Sequence, residues 1–245
     1  MRNWATRAVG ELAHRRDEIN ALNVFPVPDS DTGSNMAHTM EAAVAELDNG
    51  GDVADSLALG AVRGARGNSG MVLSQVLRGV AESTVDSVID GDVFARSLQQ
   101  AVELVDRAIA EPVEGTVITV LKAAAEAADD AEAQSGATLH SIVSAAIAAA
   151  EKALERTPSQ LPALREAGVV DAGGAGLVIL LESLLAEIEG STGHTGLPEP
   201  EPDTELEVVF FFEGDIDTLQ VAIEPLGDSL VIARATEDSA NVHIH

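Results

Sequence analysis

The 245-residue chain carries 41 acidic and only 14 basic side chains, for a formal net charge of −27. This charge argues against nucleic acid or an anionic membrane as a passive partner. The absence of cysteine excludes disulfides, thiolate zinc sites and cysteine nucleophiles. Lys122 and Lys152 are the only lysines and neither follows a glycine, which excludes an ordinary P-loop. With no membrane-length apolar run and no secretory signal at the N-terminus, a cytoplasmic protein is expected.

The composition changes along the chain and predicts two domains. Alanine is frequent up to about residue 190 and then nearly vanishes over residues 203–232. Between these zones, the glycines and prolines of residues 190–204 predict a linker, because they disfavour regular structure. We therefore predict a first domain over residues 1–189 and a partial α+β domain over residues 205–245.

The first domain has the apolar periodicity of helices almost throughout, which predicts a mainly α fold. Apolar residues recur at three- and four-residue spacing in eight segments, namely 3–22, 34–48, 53–66, 70–84, 91–110, 116–131, 138–156 and 172–188. Eight helices with short connections predict an antiparallel bundle or barrel, and the many alanines let such helices approach closely.

The C-terminal zone changes period and predicts a short α/β segment. Residues 205–212 are rich in valine and phenylalanine and predict a strand, followed by a helix from Asp215 to Glu224 and strands at 230–233 and 242–245. Three strands are marginal for an independent domain. The chain stops inside its last strand signal, so we expect either truncation or docking against the first domain.

The stretch N-V-F-P-V-P-D-S-D-T-G-S-N-M, residues 23–36, is the first candidate site. Pro26 and Pro28 stiffen an extended approach, and Asp29 and Asp31 follow on a loop just before a predicted helix. Paired carboxylates at a rigid loop suit Mg²⁺, and the helix N-terminus behind them favours phosphate oxygens. The simpler alternative is that Asp29 and Thr32 only cap a turn and a helix.

Two glycine-rich turns are further candidates. In residues 63–70, R-G-A-R-G-N-S-G, the glycines leave backbone N–H groups unobstructed for phosphate, and the two arginines favour an anion. The alternative is a tight helix–helix connection with glycine C-caps. Residues 168–176, G-V-V-D-A-G-G-A-G, predict either one wall of a nucleotide pocket or a turn capped by Asp171. A weaker turn-and-cap signal lies at residues 114–116.

The two histidines near the C-terminus alternate along a predicted strand. His243 and His245 therefore project from one face and could present two imidazoles to Zn²⁺, although two ligands are too few for a closed site. Exposed histidines without a chemical role are the alternative.

Four motifs in order, from Leu22 to Gly176, closely resemble the DhaL-type ATP-binding domains of the fatty-acid-kinase branch. They are the residue 22–36 stretch, residues 64–79, the E-G-T turn of residues 114–116 and the loop of residues 168–176. The resemblance implies an eight-helix antiparallel barrel that binds ATP at one end. It also implies that the tail is the beginning of the middle domain of these kinases, without their long C-terminal domain.

The resemblance assigns residues to the expected site. Asp29 and Asp31 would be catalytic and would hold a pair of Mg²⁺ ions on the ATP phosphates, with Asn23 near the position of a third ligand. The nucleotide contacts would come from Thr32, Gly33, Asn35, Gly67, Asn68, Ser69, Gly70, Thr116, Asp171, Gly173 and Gly174. In the tail, His243, His245 and Glu207 correspond to the Zn²⁺-binding positions of the middle domain.

The resemblance implies a kinase that phosphorylates the carboxylate of a fatty acid presented by a separate acyl-binding protein. Such an acceptor is already ionised at neutral pH, so no strong general base is required. The alternatives are a dihydroxyacetone-kinase-like phosphotransfer subunit and a truncated, non-catalytic nucleotide-binding regulator. A homodimer is a further expectation for the assembly.

Overall fold

The structure is a computed structural model that describes residues 1–84, 88–191, 208–224, 230–236 and 238–244. Ten α-helices precede the C-terminal segment in the described residues: α1 (Arg2–His14), α2 (Arg16–Leu22), α3 (Thr32–Glu46), α4 (Val53–Gly64), α5 (Gly67–Ser83), α6 (Gly91–Ala108), α7 (Val117–Glu132), α8 (Leu139–Gln160), α9 (Pro162–Ala167) and α10 (Ala172–Glu189). A short 3-10 turn, Leu47–Asn49, follows α3. The C-terminal segment contains β1 (Val208–Glu213), α11 (Ile216–Ile223), β2 (Val231–Thr236) and β3 (Ser239–Ile244).

Eight of these helices form a closed ring. Around the ring, α1 packs on α3, and each of α3 to α7 packs on the next helix in the chain. Helix α8 then packs on α10, which returns to α1 and closes the barrel. The predicted mainly α, eight-helix antiparallel barrel with a short α/β segment is therefore confirmed. None of the helices in the described residues is both long and apolar enough to cross a bilayer.

Apart from shifts of up to four residues at helix ends, the predicted helices differ from the observed ones at two places. The first predicted helix is broken at Arg15, whose φ of −99° and ψ of 11° separate α1 from α2. Helix α9 was not predicted. It begins at Pro162, which suits a first helical position because its missing N–H needs no partner there, and it ends at Gly168 with φ 71°.

The core of the barrel depends on small side chains. Ala8, Ala124, Ala146 and Ala150 are completely buried, because helices packed this closely leave no room for larger groups. Apolar side chains form two large clusters, one among α1 to α5 and α10 and the other among α5 to α8 and α10. Helices α5 and α10 contribute to both clusters and therefore connect the two halves of the barrel.

The C-terminal sheet is antiparallel, with strand order β1-β3-β2. Helix α11 covers its outer face through Ile216, which packs with Ile232 and Val242. On the inner face, Val231 and Ala233 pack against apolar side chains of the barrel.

The sheet also forms polar contacts with the barrel. The Asn241 Nδ2 donates to the carbonyl oxygen of Val62 at 2.7 Å, and Arg78 Nη1 donates to that of Arg234 at 2.5 Å. Truncation and docking were the two expectations for the tail, and these contacts show that the sheet docks on the barrel. Most of the predicted linker lies outside the described residues, and the domain boundaries stay a prediction.

Candidate functional site

A cavity of about 430 Å³ lies where the N-termini of four helices meet. Its wall includes Thr32 of α3, Ser69 of α5, Val117 of α7 and Gly173 of α10. In an antiparallel ring, alternate helices begin at the same end, so the N-termini of these four helices lie around a common space. The partial positive charge of these four helix ends makes the cavity favourable for anionic oxygen.

Eleven of the predicted site residues line this cavity, and four others that the structure describes do not. The lining residues are Asn23, Asp29, Asp31, Thr32, Asn35, Gly67, Asn68, Ser69, Thr116, Asp171 and Gly173. Gly33, Gly70, Gly174 and His243 lie outside the lining. The other two, Glu207 and His245, fall outside the described residues. The sequence motifs therefore converge in space, while the chemical role of each residue stays a prediction.

Asp29 and Asp31 are held by amide side chains on the loop between α2 and α3. The Asn23 Nδ2 donates to an oxygen of Asp29 and, at 3.4 Å, to Asp31 Oδ1. The Asn35 Nδ2 donates to Asp31 Oδ2 at 2.6 Å. Both asparagines are buried, so the two carboxylates are held in place by groups that cannot easily move. Ser30 between them has φ 61°, a left-handed conformation that glycine adopts at lower cost.

The capping alternative for Asp29 and Thr32 does not describe this loop. The first turn of α3 is capped from the preceding helix, because Asn20 Oδ1 accepts hydrogen bonds from the N–H groups of Gly33 (2.7 Å) and Ser34 (3.1 Å). Asp31 occupies the N-cap position of α3, but its side chain makes no capping hydrogen bond to the helix backbone. Sequence reasoning missed Asn20, since a cap from thirteen residues away leaves no local signal.

Two glycines in the first turn of α5 are placed by their contacts with α3. Gly67 has φ 58°, and a Cβ there would lie 2.1 Å from Asn35 Nδ2, the group that holds Asp31. Gly67 thus makes room for the support of the carboxylate loop. A Cβ on Gly70 would lie 2.4 Å from Thr39 Oγ1, so this glycine permits α3 and α5 to pack closely.

The other two predicted glycines outside the lining also serve packing. A Cβ on Gly33 would meet the Arg16 carbonyl oxygen of α2 at 2.4 Å. A Cβ on Gly174 would lie 2.8 Å from Val120 Cγ2 of α7.

The charged residues in the described part of the cavity lining are all acidic: Asp29, Asp31, Glu111, Asp171 and Glu224. We expected the arginines of the glycine turn to face a bound anion, but neither Arg63 nor Arg66 is among the lining residues. Arg63 pairs instead with Glu46 of α3 at 3.4 Å. Within the described part of the chain, phosphate in this cavity would meet helix N-termini and carboxylates. A bound cation would be needed to offset the repulsion.

Asp171 is the buried carboxylate of the site. The backbone N–H groups of Gly174 and Val117 donate to it, the former at 2.6 Å, so it joins the N-termini of α10 and α7. Its own N–H donates to Thr157 Oγ1 of α8 at 3.1 Å. Burial raises the pKa of Asp171 to about 6, and the two backbone donors offset only part of that rise.

The C-terminal segment completes the cavity. Glu224, Leu230 and Val231 line it, and Val231 also forms an isolated bridge with Ile109 after α6. His243 is completely buried, which contradicts the alternative of an exposed terminal histidine, and its Nδ1 lies 3.0 Å from Asn68 Oδ1. Sequence reasoning had no signal for these contacts, because residues far apart in the chain form them.

The closed ring of eight helices, with carboxylates and helix N-termini gathered at one end, defines a DhaL-like helical barrel. Residues 26–186 match the family model described as the DAK2 domain, and the chain belongs to this kinase-like family. The fold is similar to the crystal structure of the dihydroxyacetone kinase of C. freundii in its native form, with a TM-score of 0.54 and 18% identity. That match covers 76% of this chain and 34% of the kinase.

Two relatives extend the comparison. Protein YloV of Bacillus subtilis (strain 168) is 36% identical over 269 aligned residues, which cover 96% of this chain and 48% of YloV. An uncharacterised protein of Staphylococcus aureus (strain USA300) is 37% identical over 213 residues, which cover 84% of this chain and 39% of that protein. The chain therefore spans less than half the length of these relatives.

Proposed function

We propose that this chain is an ATP- and Mg²⁺-dependent phosphotransfer domain whose acceptor is the carboxylate of a fatty acid presented by a separate acyl-binding protein. The observation that carries the proposal is the cavity itself. Four helix N-termini favour phosphate oxygens there, while the charged lining residues are all acidic and would repel a phosphate that arrived without a cation. A metal–nucleotide complex satisfies both conditions.

The donor set fits Mg²⁺. Asp29 and Asp31 supply carboxylate oxygens, which are the hard ligands that Mg²⁺ prefers. Asn23 faces both carboxylates through its Nδ2, which donates hydrogen bonds to them and would orient them for the metal. Two carboxylates would leave coordination positions on the ion for phosphate oxygens and water. Among the described residues, no group of three or more histidines or acids could hold a metal. When bound, Mg²⁺ would neutralise charge on the ATP phosphates.

The remaining residues would position the nucleotide. Residues 67–69 form the start of α5 and line the cavity together with the carboxylate loop. Their backbone N–H groups would donate hydrogen bonds to phosphate oxygens. Val72 and Ile118 line the apolar part of the same cavity, where a nucleoside could be buried. Catalysis would then consist of positioning and charge neutralisation, because a carboxylate acceptor needs no proton removed.

The acceptor separates this proposal from a dihydroxyacetone-kinase-like phosphotransfer subunit, which the similarity of fold favours. A hydroxyl acceptor must lose a proton during transfer and therefore requires a base near the attacking oxygen. The described lining residues include no histidine, and their ionisable side chains are carboxylates. An ionised acceptor requires none of these carboxylates to act as a base, whereas a hydroxyl acceptor would require one of them.

Mg·ATP binding tests the site assignment directly. Asp29→Asn and Asp31→Asn should each weaken the affinity measured by titration calorimetry at least tenfold, because each removes half of the anionic ligand charge. Asp48→Asn, an exposed aspartate away from the cavity, is the matched control and should bind like the wild type. Unchanged affinity in both site variants would show that the cavity is not the Mg·ATP site.

Phosphate transfer tests the acceptor. ATP turnover should rise when the chain is supplied with a fatty acid on an acyl-binding protein, and it should not rise with dihydroxyacetone. The opposite result would favour the dihydroxyacetone-kinase-like alternative. Tight Mg·ATP binding without turnover under either condition would favour the non-catalytic nucleotide-binding regulator.

A further inference from the structure

We infer that His243 is a positioning residue that holds Asn68 at the phosphate end of the cavity, so that the C-terminal sheet is part of the site and more than a neighbour of it. The inference rests on the proposed function, since it assigns Asn68 to the nucleotide-binding turn. Its direct basis is the 3.0 Å contact between His243 Nδ1 and Asn68 Oδ1, which joins residues separated by 175 positions.

The position of the imidazole is fixed from both sides. His243 lies on β3, the central strand of the sheet, opposite Val209 of β1 and Val231 of β2. The His243 side chain has no solvent exposure. It lies on the face of the sheet that packs on the barrel, the face to which Val231 also belongs. A side chain this constrained can hold its hydrogen-bond partner in one orientation.

Asn68 is where that constraint can act on a ligand. It is the second residue of α5 and lines the cavity. The first backbone hydrogen bond of this helix runs from the Gly70 N–H to the Arg66 carbonyl oxygen, at 3.0 Å. The N–H groups of Gly67, Asn68 and Ser69 therefore have no partner within the helix, and all three residues line the cavity. Holding the Asn68 side chain keeps this first turn, with its exposed donors, in place.

Docking of the sheet does not by itself account for the His243 contact. Asn241 lies two residues earlier, on the same face of β3, and donates to the Val62 carbonyl oxygen of α4 at 2.7 Å. Val231 and Ala233 add apolar contacts with the barrel. Asn241 is not among the cavity residues, so it secures the sheet without contacting the site. His243 instead contacts a side chain that lines the cavity.

A double-mutant cycle on the full chain tests the inference. His243→Phe removes the ring nitrogens but keeps an aromatic side chain, and Asn68→Ala removes the partner. Each should weaken Mg·ATP binding by about three- to tenfold, the effect of one lost hydrogen bond. The double variant should bind about as weakly as either single variant, because both remove the same contact.

Two further variants separate positioning from docking. His243→Asn can place an amide nitrogen near the position of the lost Nδ1, so it should restore affinity to within about twofold of the wild type. Asn241→Ala should lower the urea midpoint of unfolding while leaving Mg·ATP affinity within about twofold.

Three results would overturn the inference: additive losses in the double variant, no recovery in His243→Asn, or an affinity loss in Asn241→Ala as large as that in His243→Phe. Failure of the proposed function is a different result. In that case, Asp29→Asn and Asp31→Asn would bind Mg·ATP like the wild type.

Discussion

Replacing Asp171 with asparagine should change how the stability of the protein depends on pH, because it removes a buried carboxyl group from the N-terminus of α10. The carboxyl lies at the N-terminus of α10 and is almost fully buried, and burial raises its pKa from the ordinary value of 3.8 to about 6. The amide of asparagine is neutral at every pH. It can still accept the hydrogen bond that Gly174 donates at 2.6 Å.

The sign of the effect follows from proton linkage. Because the pKa of Asp171 is higher in the folded state, the folded chain binds this proton more tightly than the unfolded chain does. Stability from this group is therefore fully present below about pH 4 and is lost as the pH rises through 6. The rise from 3.8 to about 6 corresponds to about 3 kcal/mol, since one pKa unit is about 1.4 kcal/mol.

Urea unfolding followed by circular dichroism, at pH 4 and at pH 8, measures the effect. The free energy of unfolding of Asp171→Asn minus that of the wild type should be about 2.5 kcal/mol larger at pH 8 than at pH 4, because the unfolded carboxyl is already partly ionised at pH 4. Comparing the two pH values cancels any pH-independent cost of the amide. Asp90→Asn is the matched control, because Asp90 is an exposed cap that accepts from the Val93 N–H at 2.9 Å.

The Asp90→Asn control makes the same atomic change at an exposed helix cap, so it reports any effect of the substitution that does not depend on burial. The reasoning would be refuted if Asp171→Asn and wild type lost stability in parallel between pH 4 and pH 8. It would also be refuted if Asp90→Asn showed a difference as large as that of Asp171→Asn, because burial could not then be the cause.

Three further predictions concern backbone conformation and packing. Ser30→Gly should raise the thermal midpoint, with a gain of about 0.5 kcal/mol, because φ 61° costs serine more than glycine; a lower midpoint would contradict this. Gly70→Val should lower the urea-derived free energy of unfolding by about 1–3 kcal/mol, since its Cβ would meet Thr39 Oγ1 at 2.4 Å, and an unchanged value would refute the packing role. A chain ending at Glu189 should keep its helical circular dichroism but bind Mg·ATP more weakly, because Leu230 leaves the cavity wall; equal affinity in calorimetry would show that the sheet is dispensable.

The fold was largely predictable because its signals are local. Apolar periodicity marked every helix of the ring, since each must bury one face against its neighbours whatever the detailed packing. The short connections then required an antiparallel arrangement. The break at Arg15 and the helix beginning at Pro162 were missed, because the chain there changes direction without a change in apolar pattern.

The glycines of the motifs show where local reasoning was insufficient. Gly67 and Gly70 are three residues apart in one turn, and both were assigned to the nucleotide. Only Gly67 lines the cavity, whereas Gly70 allows α5 to approach Thr39 of α3. The role of each glycine depends on the atoms of the neighbouring helix that lie where its Cβ would be. The residues of the turn carry no information about that helix.

By itself, the sequence determined eight antiparallel helical segments, which the family resemblance assigned to a barrel. It also placed the chemical groups on them: the paired aspartates, the glycine-rich turn that leads into α5 and the cap at Asp171. These depend on residue type and on spacing along a few turns of chain. Only the tertiary structure decided that the charged groups of the cavity are all acidic and that the C-terminal sheet supplies part of its wall. It also decided that His243 lies against Asn68. Those facts depend on contacts between residues more than a hundred positions apart, which form only when the ring closes and the sheet packs on it.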